Sequence, residues 1–309
     1  MGLKLSLAPH PVICRRLSSP IFSLPGNDWR PAPGAETTVS ATQALESGHV
    51  VWLPALAFVL SPEEQTFLSP HWATADRKNI SFDPVRGALR AAAAEGEDRA
   101  RLTAMVGRFA HSARSLVAGL FPAYADALRF GLTSFRPVEA TGRAQSPRHD
   151  DTRLHVDAFP SRPTGGQRIL RVFCNVNPAG RPRVWEVGEP FEAVAEHFAP
   201  RLSMPAPGSA WLMQALGITK GRRSAYDHCM LQLHDRAKFD DAYQRASPRT
   251  HAEFTPGSTW VVFTDRVMHA ALAGQFLFEQ TFYVPIAAMQ DPARAPFKVL
   301  ERTLGRALV

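Results

Sequence analysis

The 309-residue chain is 45% hydrophobic with a net charge of +7 at pH 7; it is long enough to bury a sizeable core, and it has no apolar run of the roughly 18 to 20 residues that a membrane-spanning helix needs. Three cysteines, Cys14, Cys174 and Cys229, lack metal-type spacing and fit free thiols in a reducing cytoplasm better than a disulfide framework. The basic excess, with only five lysines and the rest arginine, suggests an anionic partner; an arginine-favouring genome explains it equally well, and no recognition-helix, zinc-finger or RNA-binding signature supports nucleic acid.

Residues 1–40 are rich in Pro, Ser and Gly and are expected to form an extended arm; Pro9, Pro11 and the pair Arg15 and Arg16 break any signal-peptide core. Residues 41–130 are expected to be mainly helical. "SPEEQTFL" starts a helix with Ser61 as N-cap, Pro62 at the first helical position and Glu64 closing a capping box. From Leu102, residues Met105, Val106, Phe109, Ala113, Leu116, Val117 and Leu120 recur at helical spacing and predict one apolar face about five turns long.

After Gly131 the pattern changes to strand-like runs punctuated by Gly and Pro: "LTSFRPVEA", "TRLHVDAF", "RILRVFCNVNP", "RVWEVG", "AYDHCMLQLHD", "STWVVFTD", "VMHAAL" and "QFLFEQTFYVP". Helical interruptions are expected near "EPFEAVAEHF" and "DRAKFDDAYQRA". Helices followed by about eight mostly antiparallel strands predict an α+β fold, a double-stranded β-helix (jelly roll, cupin-like) over 131–290 covered by the N-terminal helices. No linker divides the chain, so 1–309 is read as a single domain. Residues 291–309 predict a terminal helix with Lys298, Arg302 and Arg306 on one stripe and Phe297, Leu300, Leu304 and Leu308 on another. Such a helix suits either an anionic membrane surface or docking on the core with an ordinary wet face.

The chemistry-bearing segment is "TRLHVDAFPSRP". On a strand, His155 and Asp157 point to one side and Val156 to the other, which supplies two ligands for a metal. His269, on a late strand in "VMHAAL", offers a third, and the set would make the two-histidine, one-carboxylate triad of non-haem Fe(II) oxygenases, with three coordination positions left open. H-x-D is short enough to arise by chance, and His149 and Asp151 repeat it in the polar stretch "SPRHDD"; the later pair is preferred for its apolar neighbours Leu154, Val156 and Phe159. If the co-substrate is 2-oxoglutarate, its distal carboxylate needs a buried cation. Arg171 alternates with apolar residues on one face of "QRILRVFCNVNP", together with Asn175, and is the first choice; Arg136 is the next, and Arg168 at the strand's start is expected to be solvated. An ordinary ion pair is the alternative for each.

The strings "SPRHDDTRLHVDAFPSRPTGGQRILRVFCNVNP", "TKGRRSAYDHCMLQLHD" and "PGSTWVVFTDRVMHAALAGQFLFEQTF", spanning roughly 130–290, resemble the bacterial Kdo hydroxylases. The resemblance implies an Fe(II)- and 2-oxoglutarate-dependent dioxygenase that uses O2 to hydroxylate C3 of 3-deoxy-D-manno-oct-2-ulosonic acid (Kdo) on Kdo-lipid A, at the cytoplasmic face of the inner membrane. It implies His155, Asp157 and His269 as metal ligands and Arg171 for the keto-acid, beside which Arg136 and Asn175 stand as further candidates from the residues themselves. Arg148, Arg153, Arg222 and Arg223 flank the motifs and are candidates for the anionic substrate. One departure stands out: about ten residues after His269, where related dioxygenases carry an arginine, this chain has Glu279 and Gln280. The alternatives are a 2-oxoglutarate dioxygenase with another sugar, lipid or protein substrate, and a non-catalytic cupin-like binding module.

Overall fold

The computed structural model describes residues 19–75, 77, 79–140 and 146–309; Cys14 and residues 1–18 of the expected arm lie outside them. In chain order the elements are β1 (Ile21–Ser23), α1 (Ala35–Ser47), β2 (Val50–Leu53), α2 (Pro62–Gln65), β3 (Ile80–Asp83), β4 (Ala88–Arg90), α3 (Gly96–Leu120) and β5 (Arg129–Arg136). There follow β6 (Arg168–Asn175), β7 (Arg183–Val187), α4 (Phe191–Phe198), α5 (Ser209–Ala215), α6 (Ala225–Phe239) and α7 (Asp241–Ala246). The chain ends with β8 (Thr250–Phe254), β9 (Thr259–Phe263), β10 (His269–Ala273), β11 (Leu277–Val284) and α8 (Pro296–Leu304).

Two sheets face each other. The larger runs β1-β2-β9-β6-β11-β5-β3-β4 and the smaller β10-β7-β8, and each pairing is antiparallel except that of β1 with β2. This is the predicted jelly-roll class, built as two sheets of unequal size and not as a closed barrel. Between them Phe173, Trp185, Val187, Phe254, Trp260 and Val262 interdigitate, with Phe254 and Trp260 stacked at 4.1 Å. Strand alternation sends Leu170, Val172 and Cys174 of β6 to the opposite face, where α3 lies across the sheet. The predicted apolar stripe of α3 is buried at each of its eight positions. A third cluster joins Leu154, Val156, Met268 and Ala270 to α4, α6 and α8.

The structure corrects several expectations. "TRLHVDAF" forms no strand but a single bridge, His155 with His269. The segment has one short edge to pair with, and it soon reaches Pro160 and Pro163, which have no amide to donate. "AYDHCMLQLHD" is helical: Ser224 and Asp227 form a capping box, and Tyr226, Cys229, Met230, Leu233 and Ala237 are buried at helical spacing. Within 41–130 the helices α1, α2 and α3 are joined by short runs, β2 to β4, that extend the large sheet at both edges. Thr250–Phe254 adds a strand that the reading lacked.

Arg168 is fully buried, against the expectation of solvation. Its guanidinium grips Asp265 with two bonds, Nε to Oδ2 at 2.7 Å and Nη2 to Oδ1 at 3.1 Å, and lies 3.8 Å over the Phe263 ring. The terminal helix α8 is docked on the core: Val299, Leu300 and Leu308 are buried in the cluster with α4 and α6, so its apolar stripe faces protein. Among the described residues no helix is long and apolar enough to cross a membrane.

Candidate active site

The bridge that replaces the expected strand is what brings the triad together. His155 N–H donates to the His269 carbonyl at 3.0 Å and His269 N–H to the His155 carbonyl at 2.9 Å, while Asp157 N–H donates to the Thr264 carbonyl at 2.8 Å. Two distant segments are thereby locked in register. One ligand atom from each of His155, Asp157 and His269 lies within 4.8 Å of the others, and the three residues are buried.

Histidine tautomers follow from their partners. Nδ1 of His155 lies 2.7 Å from the Arg153 carbonyl and Nδ1 of His269 lies 2.8 Å from the Val267 carbonyl. A carbonyl only accepts, so each Nδ1 carries the proton and each Nε2 offers its lone pair inward. Burial, reinforced by the His269 charge, holds His155 well below the ordinary imidazole range, and burial likewise lowers His269. Burial by itself would raise the Asp157 carboxyl, but the Arg171 guanidinium at 3.2 Å and the two imidazoles hold it below its usual range. Two neutral imidazoles and one carboxylate, buried and oriented by carbonyl groups behind them, fit a divalent metal that needs open positions.

A cavity of about 130 Å³ opens on this cluster, lined also by Arg136, Asp151, Arg171, Phe173, Arg183, Trp185, Ala271 and Glu279. Glu279, at the departure noted in the sequence, takes a position in this wall and pairs with Arg136 at 2.7 Å and Arg171 at 3.1 Å. Arg136 also approaches Asp151 at 3.6 Å. Arg183 differs from both: Nη1 donates to the Gly274 carbonyl at 2.9 Å, Nε has no hydrogen-bond partner, and no carboxylate among the described residues comes within 4.0 Å. Burial and the neighbouring Arg136 charge lower it to about 10, still protonated at neutral pH. Trp185, stacked on the His269 ring at 5.0 Å, leaves its buried Nε1 without a partner. Asp151, Glu279 and Glu139 act on the Arg183 guanidinium only from beyond contact, so the wall can receive an anionic ligand.

Arg183 and Trp185 were missed in the sequence. Their signal was the alternation of "RVWEV", which puts Arg183, Trp185 and Val187 on one face, the same argument that singled out Arg171. Asn175 lies apart from the cavity, with its amide donating to the Arg181 and Phe254 carbonyls at 3.0 Å each and its Oδ1 accepting from the Asn177 amide; it secures a turn. Of the other flanking arginines, Arg153 pairs with Asp241, Arg148 pairs with Asp235 at 2.7 Å, and Arg223 donates to the Pro160 carbonyl at 2.6 Å, while Arg222 is exposed. None of the four lines the cavity. His149 is exposed on a turn and contacts Ser146, so the earlier H-x-D pair is split.

A second cavity of about 300 Å³ adjoins the first and shares Arg136, Arg171 and Glu279. Phe159, Tyr283, Arg162, Asn79, Ser134 and Thr281 contribute to its walls. The buried Oδ1 of Asn79 has no hydrogen-bond partner, and among the described residues Arg162 makes no ion pair. Rings beside unengaged polar groups fit a polyhydroxylated acid.

Residues 28–307 match the family model of 3-deoxy-D-manno-oct-2-ulosonic acid (Kdo) hydroxylases. Two crystal structures of the Kdo hydroxylase KdoO, a non-haem Fe(II) α-ketoglutarate-dependent dioxygenase, are 48% identical with a TM-score of 0.91; one holds α-ketoglutarate and Fe(III), the other cobalt(II). A third, with succinate and Fe(III), is 47% identical with a TM-score of 0.90. The matches cover 94% of this chain and 98% of each of those. No curated protein matches the chain.

Proposed function

The chain belongs to the Kdo hydroxylase family of Fe(II)/2-oxoglutarate-dependent dioxygenases, and from that premise we propose that it hydroxylates C3 of Kdo in Kdo-lipid A, giving D-glycero-D-talo-oct-2-ulosonic acid. The observation that carries this reading is the convergence of His155, Asp157 and His269 beside a buried arginine that no carboxylate among the described residues contacts. His155 and His269 would hold iron through Nε2 and Asp157 through a carboxylate oxygen, with 2-oxoglutarate (α-ketoglutarate) in the adjoining cavity. Ferrous iron held there supplies the dioxygen chemistry that couples oxidative decarboxylation of 2-oxoglutarate to insertion of one oxygen atom into a C–H bond.

The chain's own residues do the rest. Arg183 and Trp185 Nε1 would anchor the distal carboxylate, with Trp185 against a metal-ligand ring and Arg183 two residues, roughly 7 Å, further along the same strand face. Arg171 holds Asp157 and Glu279 in place, and Glu279 in turn positions Arg136, so the cavity's cations are arranged before the co-substrate enters. Phe173 and Trp185 close the inner wall against water. In the larger cavity, Arg162 would meet the Kdo carboxylate, Asn79 and the hydroxyls of Ser134 and Thr281 the sugar hydroxyls, and Phe159 and Tyr283 the ring faces. That placement would present one C–H bond to the metal side of the shared wall.

Mass spectrometry of the core glycolipid after incubation with purified protein, Fe(II), 2-oxoglutarate and O2 is expected to show one added oxygen and matched succinate release. Succinate formed without an oxygenated glycolipid would reject the substrate, and no 2-oxoglutarate turnover with any core glycolipid would reject the reaction. Replacing Arg183 by leucine is expected to raise the KM for 2-oxoglutarate about 10- to 100-fold, the loss of a charge-assisted hydrogen bond, with a smaller effect on kcat at saturation. An unchanged KM would move the anchor to Arg171 or Arg136.

A further inference from the structure

Helix α5 buries none of its residues. Trp211 and Leu216 are each 65% exposed, and Leu212 and Ile218 are more than half exposed. Of the nine large apolar side chains exposed among the described residues, four therefore fall within eight positions. Leu212 and Leu216 are one turn apart, with Trp211 and Ala215 forming the adjacent row, so the exposed groups make a continuous stripe. The helix is stopped firmly: Gly217 is left-handed, its N–H donates to the Gln214 carbonyl at 3.0 Å, and Ile218 N–H donates to the Met213 carbonyl at 2.9 Å. This paired stop folds Ile218 back beside the helix. Seven helical residues gain little stability from propensity alone in water, and among the described residues this stripe stays more than half exposed.

The surrounding charge is one-sided. Residues 201–226 contain Arg201, Lys220, Arg222 and Arg223 and no Asp or Glu. Arg201 is engaged by Asp240 and Arg223 by the Pro160 carbonyl, which leaves the side chains of Lys220 and Arg222 free of ion pairs among the described residues. The segment is also tied to the larger cavity: Lys220 N–H donates to the Ser161 carbonyl at 2.9 Å, and Arg223 holds Pro160, both of which line that cavity.

We propose that α5 and the loop 216–223 form a docking surface for an anionic lipid bilayer, with Trp211, Leu212, Leu216 and Ile218 at the headgroup boundary and Lys220 and Arg222 against lipid phosphates. Charge favours a bilayer over a second copy of the chain, because a two-fold contact through this face would bring its cations against themselves. The proposal deepens the reading of a glycolipid substrate: docking here sets the Pro160–Ser161 rim of the cavity beside the surface from which a sugar headgroup projects.

The test is flotation of the full chain with vesicles that contain no Kdo lipid, either phosphatidylcholine alone or mixed with phosphatidylglycerol. Wild type is expected to float with the mixed vesicles, and Trp211→Ser with Leu216→Ser to lose at least tenfold in bound fraction, as is Lys220→Glu with Arg222→Glu. The serine pair, at exposed positions, is expected to keep the wild-type melting temperature and its turnover on a deacylated Kdo oligosaccharide, while turnover on glycolipid in vesicles falls. Absence of flotation by wild type, or flotation unchanged in both variants, overturns the proposal. A concentration-dependent dimer abolished by the serine pair, without vesicle binding, overturns it in favour of a second copy. Vesicle binding without hydroxylation of any Kdo lipid supports the surface and rejects the substrate reading separately.

Discussion

Asp157→Ala is expected to lower turnover by about a thousandfold, because a metal supplies several kcal/mol of stabilisation and each 1.4 kcal/mol is a factor of ten. Two effects combine. The carboxylate is the only anionic member of the triad, and it is also the group that the buried Arg171 guanidinium contacts at 3.2 Å. Its loss leaves two neutral imidazoles facing a guanidinium that, among the described residues, only Glu279 still pairs, a field less favourable to a divalent cation. Metal content after dialysis against Fe(II) or Co(II) checks the cause, and should fall with activity. Turnover above a tenth of wild type with metal retained would remove Asp157 from the ligand set. His155→Ala and His269→Ala carry the same expectation for metal but leave the Arg171–Asp157 pair intact, so they separate coordination from charge balance.

Arg168→Met is expected to destabilise the fold by about 3–5 kcal/mol, the usual cost of stranding one partner of a buried ion pair. Arg168 and Asp265 are both fully buried, with the guanidinium bonded twice to the carboxylate. Burial pushes the Asp265 carboxyl up, and Arg168 opposes that rise. In the variant only the Ile169 amide and the Arg266 charge still oppose it, so the native state binds a proton more readily than with Arg168 present and the stability deficit should shrink as pH falls. Urea unfolding at two pH values measures this. A double variant, Arg168→Met with Asp265→Leu, should recover much of the loss. A single variant within 1 kcal/mol of wild type would show that the pair is not what holds β6 to the turn before β10.

The legibility of this protein varied by element for definable reasons. The α3 stripe was readable from its period of 3.6, and strands β5, β6, β7, β9, β10 and β11 from alternating or continuously apolar runs bounded by turn residues. "AYDHCMLQLHD" has the apolar density of a strand, while Ser224 and Asp227 mark a helix start and its buried positions keep helical spacing. Strands of three to five residues, such as β1 to β4 and β8, carry too little pattern to stand out before their partners are known. Arg168 and Arg171 sit three residues apart on opposite faces of one strand, and both proved to be held by carboxylates.

By itself the sequence determined the architecture class, the two-residue spacing that aims His155 and Asp157 the same way, His269 as the candidate to join them, and, through resemblance, the family. Those are local properties, or are written in strings long enough to be distinctive. Only the tertiary structure decided which cation no carboxylate among the described residues contacts, since Arg136, Arg171 and Arg183 look alike along the chain and differ in the carboxylates that β11 and the His155 segment bring to them. It also decided which apolar stripe stays uncovered among the described residues: that of α8 is buried against α4 and α6, while Trp211, Leu212 and Leu216 of α5 are more than half exposed. Periodicity specifies that a face is apolar or charged; what meets that face depends on contacts between residues far apart in the chain.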